Sequence, residues 1–237
     1  MKKSYKVLLY IIALTLIVTL SISSCNLLGR KNPYPHIPSG TLDSLPEFDG
    51  ETPYIVINDN LPFFTVEDVT TESYEKYGER DGLGRCTTCI ACIGVDIMPT
   101  EDRESISHIE PTGWNNVKYD FVPDKYVYNR CHLIGFQLTG ESTNRENLIT
   151  GTQFMNIEGM LPFENEIANY VKQTENHVMF RVTPIFTKDN LVANGVLMEA
   201  WSVEDNGNGV CFNVYVYNCQ PGVEIEYTTG ETHPKKH

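Results

Sequence analysis

The second half of the chain shows two hydrophobic periods, one typical of a helix and one typical of strands. From Thr152 to Gln173 the apolar residues recur at helical spacing, and Gly159 and Pro162 predict a break near the middle. Beyond this helix the period falls to two, which predicts strands. The strands fall near residues 178–182, 191–201 and 210–216, with a turn at residues 205–209. This order indicates an antiparallel or mixed sheet behind a helix, which is the α+β class.

The first half of the chain has fewer periodic segments. Residues 54–57 predict a short strand, and the turn-forming residues that follow predict a reversal of the chain. A second strand is predicted from Asp120 to Tyr128, leading directly into Asn129. We expect the last residues, Thr229 to His237, to be frayed.

The first residues are typical of a secretory signal. Three lysines precede the mostly apolar segment 7–22, and a basic region before an apolar one marks such signals. Ile22-Ser23-Ser24-Cys25 resembles the lipobox of bacterial lipoproteins, in which the cysteine is acylated and becomes the new N-terminus. An uncleaved membrane anchor is the alternative, although a spanning helix needs about 20 residues. Both alternatives place the rest of the chain outside the cytoplasmic membrane, at the cell envelope.

These patterns divide the chain into a signal peptide (1–24), a proline- and serine-rich tether (25–50), one domain (51–228) and a disordered tail (229–237). Removing residues 1–24 deletes three lysines and no acid, so the net charge changes from −13 to −16. An acidic chain repels the phosphate backbone at long range, which argues against a DNA-coating role. It argues less against an enzyme, since a bound cation and a few arginines can hold one phosphate.

Six cysteines remain once Cys25 is assigned to lipid. An even number in an exported chain predicts up to three disulfides, with the connectivity open. The spacing of Cys86, Cys89 and Cys92 also occurs in zinc and iron–sulfur sites. A surface thiol or metal protein is therefore an alternative hypothesis, which predicts bound metal or reactive thiols.

The chemistry-bearing residues are concentrated between residues 129 and 164. Asn129-Arg130-Cys131-His132 combines an imidazole with a guanidinium, and two asparagines and a glutamate follow at Asn147, Asn156 and Glu164. A neutral imidazole can take a proton from water near neutral pH. A guanidinium and a metal ion can stabilise negative charge on phosphoryl oxygens, and Mg²⁺ needs only one or two protein oxygens. These residue types are the ones that phosphodiester hydrolysis needs.

The segment resembles the DNA/RNA non-specific endonucleases, which have a ββα-metal (His-Me finger) site, and especially the secreted streptodornase-like DNases. That family carries Asp-Arg-Gly-His, an Asn, a second Asn nine residues later and a Glu eight residues beyond, and the last two spacings are kept here. The resemblance continues outward and covers most of residues 51–218. It implies that His132 is the general base, Asn156 the direct metal ligand, and Glu164 a group that holds metal-bound water. It also implies that Arg130 and Arg103 contact phosphate and that Asn147 orients His132 or its loop.

Each of these residues also has a structural alternative. Arg103 and Arg130 could form ion pairs, Asn147 and Asn156 could cap a helix, and Glu164 could be a solvated helix charge. We interpret the other histidines as packed or solvated; they are His36, His108, His177, His233 and His237.

Two positions depart from the family pattern. Asn129 replaces the usual Asp, which removes a charge near the site, and Cys131 replaces Gly, which places a thiol or disulfide beside His132.

The sequence thus predicts an exported endonuclease of low sequence specificity. DNA is its expected substrate and RNA a second one, Mg²⁺ is the expected cofactor with Mn²⁺ as the alternative, and no protein partner is predicted. The competing hypothesis is an inactive member of the same fold that binds nucleic acid or protein at the cell surface. The acidic charge and Asn129 favour that hypothesis, and the intact His132, Asn156 and Glu164 oppose it.

Overall fold

The computed structural model describes residues 37–38, 40–42 and 45–236. The predicted signal peptide, Cys25 and most of the tether lie outside these residues. Within them, no helix is both long enough and apolar enough to cross a membrane. The chain divides into two units, the smaller of which includes Phe63–Val69. That segment makes a turn in which the Asp68 carboxylate accepts a hydrogen bond from the Thr65 backbone N–H at 2.8 Å.

All strands and helices described below belong to the larger unit. The strands in chain order are β1 Tyr54–Val56, β2 Tyr74–Tyr77, β3 Cys89–Ile93, β4 Tyr128–His132, β5 Leu148–Thr152, β6 Val178–Ile185, β7 Gly195–Ser202, β8 Cys211–Tyr217, β9 Val223–Ile225 and β10 Thr232–Pro234. The helices are the short α1, Phe136–Thr139, and α2, Leu161–Thr174, which follows directly on a π-helical turn, Met155–Met160.

The main sheet has six antiparallel strands in the order β1-β8-β7-β6-β3-β2. Val178, Phe180 and Val182 are fully buried and share one hydrophobic core with Ile167 and Val171 of α2. The period-two pattern therefore forms the meander that the sequence predicts, with a helix packed against the core.

A buried ion pair joins the two central strands β6 and β7. Arg181 and Glu199 are cross-strand partners, and both are at most 2% exposed. The guanidinium donates to both carboxylate oxygens, at 2.7 and 2.9 Å. This bidentate geometry compensates two charges that would otherwise be expensive to bury.

The predicted break in the helix is confirmed. The π-helical turn changes to α-helix at Leu161, and Pro162 lies in the first turn of α2, where its missing N–H costs no helical hydrogen bond. A Cβ on Gly159 would lie 2.3 Å from Val216 Cγ1. Glycine is therefore what lets the π-helical turn pack closely on β8.

The site is carried by a separate hairpin of β4 and β5. Its register pairs His132 with Leu148 and Arg130 with Thr150. Because cross-strand partners project on the same face, these four residues share one face of the hairpin. Cys131 projects from the other face and contacts Met160 at the end of the π-helical turn. Two strands and the helical segment 155–174 thus form a ββα unit.

The predicted strand from Asp120 to Tyr128 is wrong. Residues 120–127 form turns, with Asp124 and Lys125 at φ angles of 56° and 67°. Positive φ is incompatible with an extended strand, and Pro123 removes a hydrogen-bond donor from the same segment. The strand begins only at Tyr128, so it contains Asn129 to His132 rather than leading into them.

Both ends of the described chain are more ordered than the sequence predicts. Thr232–Pro234 forms β10, which pairs with β9, so the predicted frayed end contains a strand. At the other end, Phe48 packs against the rings of Phe154 and Tyr217, and the Pro46 carbonyl accepts a hydrogen bond from the Tyr217 hydroxyl at 2.8 Å. The last residues of the predicted tether therefore pack on the domain.

The predicted disulfides are not formed among the six described cysteines, which are all free. Two of these thiols contact backbone carbonyls at short range: Cys86 Sγ lies 3.2 Å from Leu148 O, and Cys92 Sγ lies 3.1 Å from Thr70 O. Cys89 and Cys92 belong to the same strand, and their odd spacing sends them to opposite faces of it. Within the described residues, no group of three or more His, Cys, Asp or Glu side chains is arranged to hold a metal ion.

Candidate active site

His132 is held at the end of β4 with both ring nitrogens occupied. Nε2 lies 2.9 Å from the Ser142 carbonyl, and Nδ1 lies 3.1 Å from Arg103 Nη2. A carbonyl can only accept a hydrogen bond and a guanidinium can only donate one. The proton of a neutral His132 therefore sits on Nε2, and Nδ1 keeps its lone pair.

The surroundings of His132 favour the neutral imidazole. The side chain is 7% exposed, and this burial lowers its pKa from 6.5 to about 4. The Ser142 carbonyl raises the pKa and the Arg103 charge lowers it, both less strongly than burial. At neutral pH His132 can therefore accept a proton.

Arg103 covers Nδ1 of His132 from the solvent side. The residue is exposed, and Glu104 beside it donates its backbone N–H to the Ser142 hydroxyl at 3.2 Å. The same residue, Ser142, accepts from His132 through its carbonyl. Ser142 thereby fixes both the imidazole and the segment that carries Arg103. An exposed guanidinium therefore lies beside the Nδ1 lone pair of a buried imidazole, and a guanidinium at such a position can bind an anion.

Cys131, not His132, is the hairpin residue that contacts Asn156. Alternation along β4 directs these two neighbours to opposite faces. The Cys131 thiol donates to Asn156 Oδ1 at 3.0 Å and is almost fully buried. Burial raises the pKa of this thiol far above its usual range. Cys131 is therefore a protonated donor that fixes the orientation of the Asn156 amide.

Gly151 on the opposite strand provides the space for this cysteine. A Cβ on Gly151 would lie 2.6 Å from the Cys131 Cβ and 2.6 Å from Met155 Cε. The replacement of the family's glycine at position 131 thus depends on a glycine at position 151.

Glu164 lies in the first turn of α2 and is 8% exposed. A Cβ on Gly135 would lie 2.5–2.7 Å from its carboxyl atoms. Burial raises the pKa of this carboxyl to about 7, against the lowering effects of the Gly135 backbone N–H and the Arg103 charge. Arg103 therefore acts electrostatically on both His132 and Glu164. This places hairpin, helix and the Arg103 segment around one location.

Asn147 and Arg130 have mainly positioning contacts. The buried Asn147 amide accepts from the Ile134 N–H at 2.8 Å and donates to the Ile134 carbonyl at 2.9 Å, which fixes the loop that follows His132. The guanidinium of Arg130 donates to the carbonyls of Ser107 and Ile109 and lies 4.2 Å from the centre of the Trp114 ring. Arg130 therefore anchors the 107–109 segment next to the site.

The sequence reasoning missed Ser142 and Gly135. Ser142 acts on His132 through its backbone carbonyl, so its side-chain type carries no signal of this contact. Gly135 had a signal, because it stands three residues after His132 in the segment His-Leu-Ile-Gly, and a glycine beside a buried carboxylate marks a close backbone approach.

A hairpin that carries a histidine, packed with a helix that carries an asparagine and a buried glutamate, is the arrangement of the ββα-metal nuclease fold. The family model of DNA/RNA non-specific endonucleases matches residues 65–204, more than half of the chain. The chain therefore belongs to that family.

Comparison with individual proteins agrees with this assignment. A deoxyribonuclease from Streptococcus dysgalactiae subsp. equisimilis is 30% identical over 112 residues, which are 45% of this chain and 33% of that protein. The chain thus matches about a third of that relative's length.

Two solved structures share the fold. NucA from Streptococcus agalactiae, solved with a magnesium ion bound, superposes with a TM-score of 0.68 at 24% identity, covering 78% of this chain and 91% of that one. Sda1 nuclease, solved with a bound zinc ion, gives 0.66 at 23% identity, covering 78% and 97%.

Proposed function

We propose that this protein is an exported, metal-dependent endonuclease that hydrolyses phosphodiester bonds in DNA, and in RNA as a second substrate, with little sequence preference. The observation that carries the proposal is the buried, neutral His132, whose Nδ1 lone pair points at an exposed guanidinium. Contacts to phosphate rather than to base edges carry no sequence information, which accounts for the low specificity.

Two side chains of the helical segment that packs against the hairpin fit a hard divalent cation. Asn156 Oδ1 and the Glu164 carboxylate are oxygen donors, and Mg²⁺ is bound through one or two such groups with its remaining positions filled by water. The Cys131 thiol uses one lone pair of Asn156 Oδ1, and an amide oxygen has a second one. Asn156 would therefore be the direct ligand, with Glu164 holding metal-bound water, and Mn²⁺ is the alternative ion. A bound cation would stabilise negative charge on the phosphoryl and leaving 3′ oxygens.

His132 supplies the base. Ser142 keeps the proton on Nε2, so Nδ1 removes a proton from the attacking water. Arg103 is exposed, and its guanidinium can turn from Nδ1 to an incoming phosphate. Asn147 keeps the loop after His132 in place, and Arg130 contributes positive charge on the same face as His132. Attack by water and departure of the 3′ oxygen leave a 5′-phosphorylated product.

The test is cleavage of supercoiled plasmid DNA by the purified full-length chain in mild detergent. We expect cutting with Mg²⁺ and none with EDTA. His132→Ala should lower the rate about 10²–10⁴-fold, the usual contribution of a general base. Asn156→Ala should raise the Mg²⁺ concentration that gives half-maximal cutting, because it removes the proposed ligand. His233→Ala, an exposed histidine on β10, is the matched control and should cut normally.

Two outcomes would overturn this assignment. Full activity in His132→Ala would remove His132 from the reaction. A parent protein that binds the plasmid but never cuts it, with any divalent ion, would favour the inactive binding module.

The cellular location is tested separately. We propose that Cys25 carries lipid and holds the domain at the outside of the cytoplasmic membrane. Cys25→Ala should release the protein from the membrane fraction and remove the lipid mass from the intact protein. Retention of Cys25→Ala in the membrane would favour an uncleaved anchor.

A further inference from the structure

A second cationic feature lies beside the hairpin. A cavity of about 160 Å³ is lined by Arg80, Arg145, Leu148, Ile109 and Thr112, among others. Both arginines are exposed, so their guanidinium groups are accessible from solvent. The whole chain has a net charge of −13, and this cavity is a place where two exposed arginines lie close together.

This cavity is on the same face of the hairpin as His132. Leu148, which lines it, is the cross-strand partner of His132, and such partners lie about 5 Å apart and project together. Arg130 also contacts the lining of the cavity, because its guanidinium donates to the carbonyl of Ile109, another lining residue. His132 and Arg130 therefore project from the hairpin face that carries Leu148, and Leu148 lines the cavity.

The carboxylates near these arginines do not block an anion. Arg80 pairs with Glu146 at 3.4 Å, but both side chains are about 40% exposed, and exposed pairs contribute little. The exposed Glu110 also borders the cavity. A phosphate can replace Glu146 as the partner of Arg80, and the exposed Arg145 can contact the same phosphate.

We propose that Arg80 and Arg145 form a second phosphate subsite, which holds the DNA backbone to one side of the bond at His132. This inference rests on the proposed nuclease function. The subsite explains how an acidic protein retains a polymeric substrate without a basic surface.

The test compares a polymeric and a minimal substrate. Arg145→Ala, Arg80→Ala and the double variant are assayed on a 20-base-pair duplex and on thymidine 5′-(p-nitrophenyl phosphate), which has only the reacting phosphate. We expect the KM for the duplex to rise about tenfold in the double variant with kcat little changed. Hydrolysis of the minimal substrate should be unaffected. Lys172→Ala, which removes one exposed charge from α2, is the control.

A binding assay separates this inference from the catalytic one. In the His132→Ala background, fluorescence polarisation of the labelled duplex should lose about 0.9 from the slope of log affinity against log salt for each arginine removed. Arg145→Lys should retain the slope. Equal loss on both substrates, or an unchanged slope, would overturn the subsite. Failure of the parent to cut either substrate would overturn the nuclease proposal. The salt slopes of the binding assay would still decide whether the subsite exists.

Discussion

At the scale of single residues, the environment of His132 sets its protonation. Burial and the Arg103 charge lower the pKa to about 4. We therefore expect ¹⁵N NMR of histidine-labelled, metal-free protein to show His132 titrating well below 6.5, as the Nε2–H tautomer. Arg103→Ala should raise this pKa, because a positive neighbour is removed. A value of 6.5 or higher, or the Nδ1–H tautomer, would contradict the arrangement on which the proposed base depends.

The pKa of Glu164 is shifted upward, whereas that of His132 is shifted downward. Its pKa is raised from 4.5 to about 7 by burial, so the folded state binds its proton more tightly than the unfolded state does. The associated stability is fully present below pH 4.5 and is lost as the pH rises through about 7. Without metal, ionised Glu164 therefore destabilises the fold at pH 8.

Glu164→Gln removes this penalty. In EDTA at about pH 8, we expect urea unfolding to show the variant more stable than the parent by about 3 kcal/mol, at about 1.4 kcal/mol per pKa unit. The difference should vanish near pH 4, where both side chains are neutral. The His132 contribution is common to both proteins and cancels. The control is Glu158→Gln, on the exposed side of the π-helical turn, which should show neither effect. If Glu164→Gln were no more stable than the parent at pH 8, ionised Glu164 would not destabilise the fold.

At the scale of elements, the hairpin depends on the fit between Cys131 and Gly151. Gly151→Ala would place a methyl group 2.6 Å from the Cys131 Cβ, and overpacking of this kind costs about 1–3 kcal/mol. Removing the Cys131 side chain opens that space, so Gly151→Ala should cost less in the Cys131→Gly background. Urea unfolding of the four proteins gives the coupling directly.

The control for this cycle is Gly82→Ala, because a Cβ there meets nothing within 4 Å. It should change the free energy of unfolding little in either background. Strict additivity of the Gly151 and Cys131 changes would mean that the two strands relax apart and that the hairpin is not tightly packed.

The elements were predictable where local pattern and tertiary structure agree. The strands around Val178, Val196 and Val214 have one or both faces buried, so a period of two survives in the sequence. The strand predicted over residues 120–127 was wrong because the Tyr, Phe and Val residues there belong to turns. The turn is visible only in the positive φ angles of Asp124 and Lys125. The main sheet and the helix break follow from the sequence, while the start of β4 does not.

At the scale of the whole molecule, the composition of the site follows from the family motif, but its geometry follows from long-range contacts. Arg103 reaches His132 across 29 residues and Ser142 reaches it across 10. No local period encodes such contacts. The opposite orientation of His132 and Cys131 was implicit in strand alternation, yet it became informative only once β4 was known to include both residues.

The cysteines give the last test of how the fold is held together. The six described thiols are free and mostly buried, so the packed core and the Arg181–Glu199 pair must stabilise the domain without cross-links. We expect the Tm to be the same with and without dithiothreitol, whereas loss of one native disulfide would cost about 2–5 kcal/mol and several degrees.

Native protein should react slowly with a thiol reagent, because burial raises the pKa of Cys86 to about 11 and that of Cys92 to about 12. Unfolded protein should expose six thiols if Cys25 is acylated and seven if it is not. A Tm that falls on reduction would show that the protein is cross-linked.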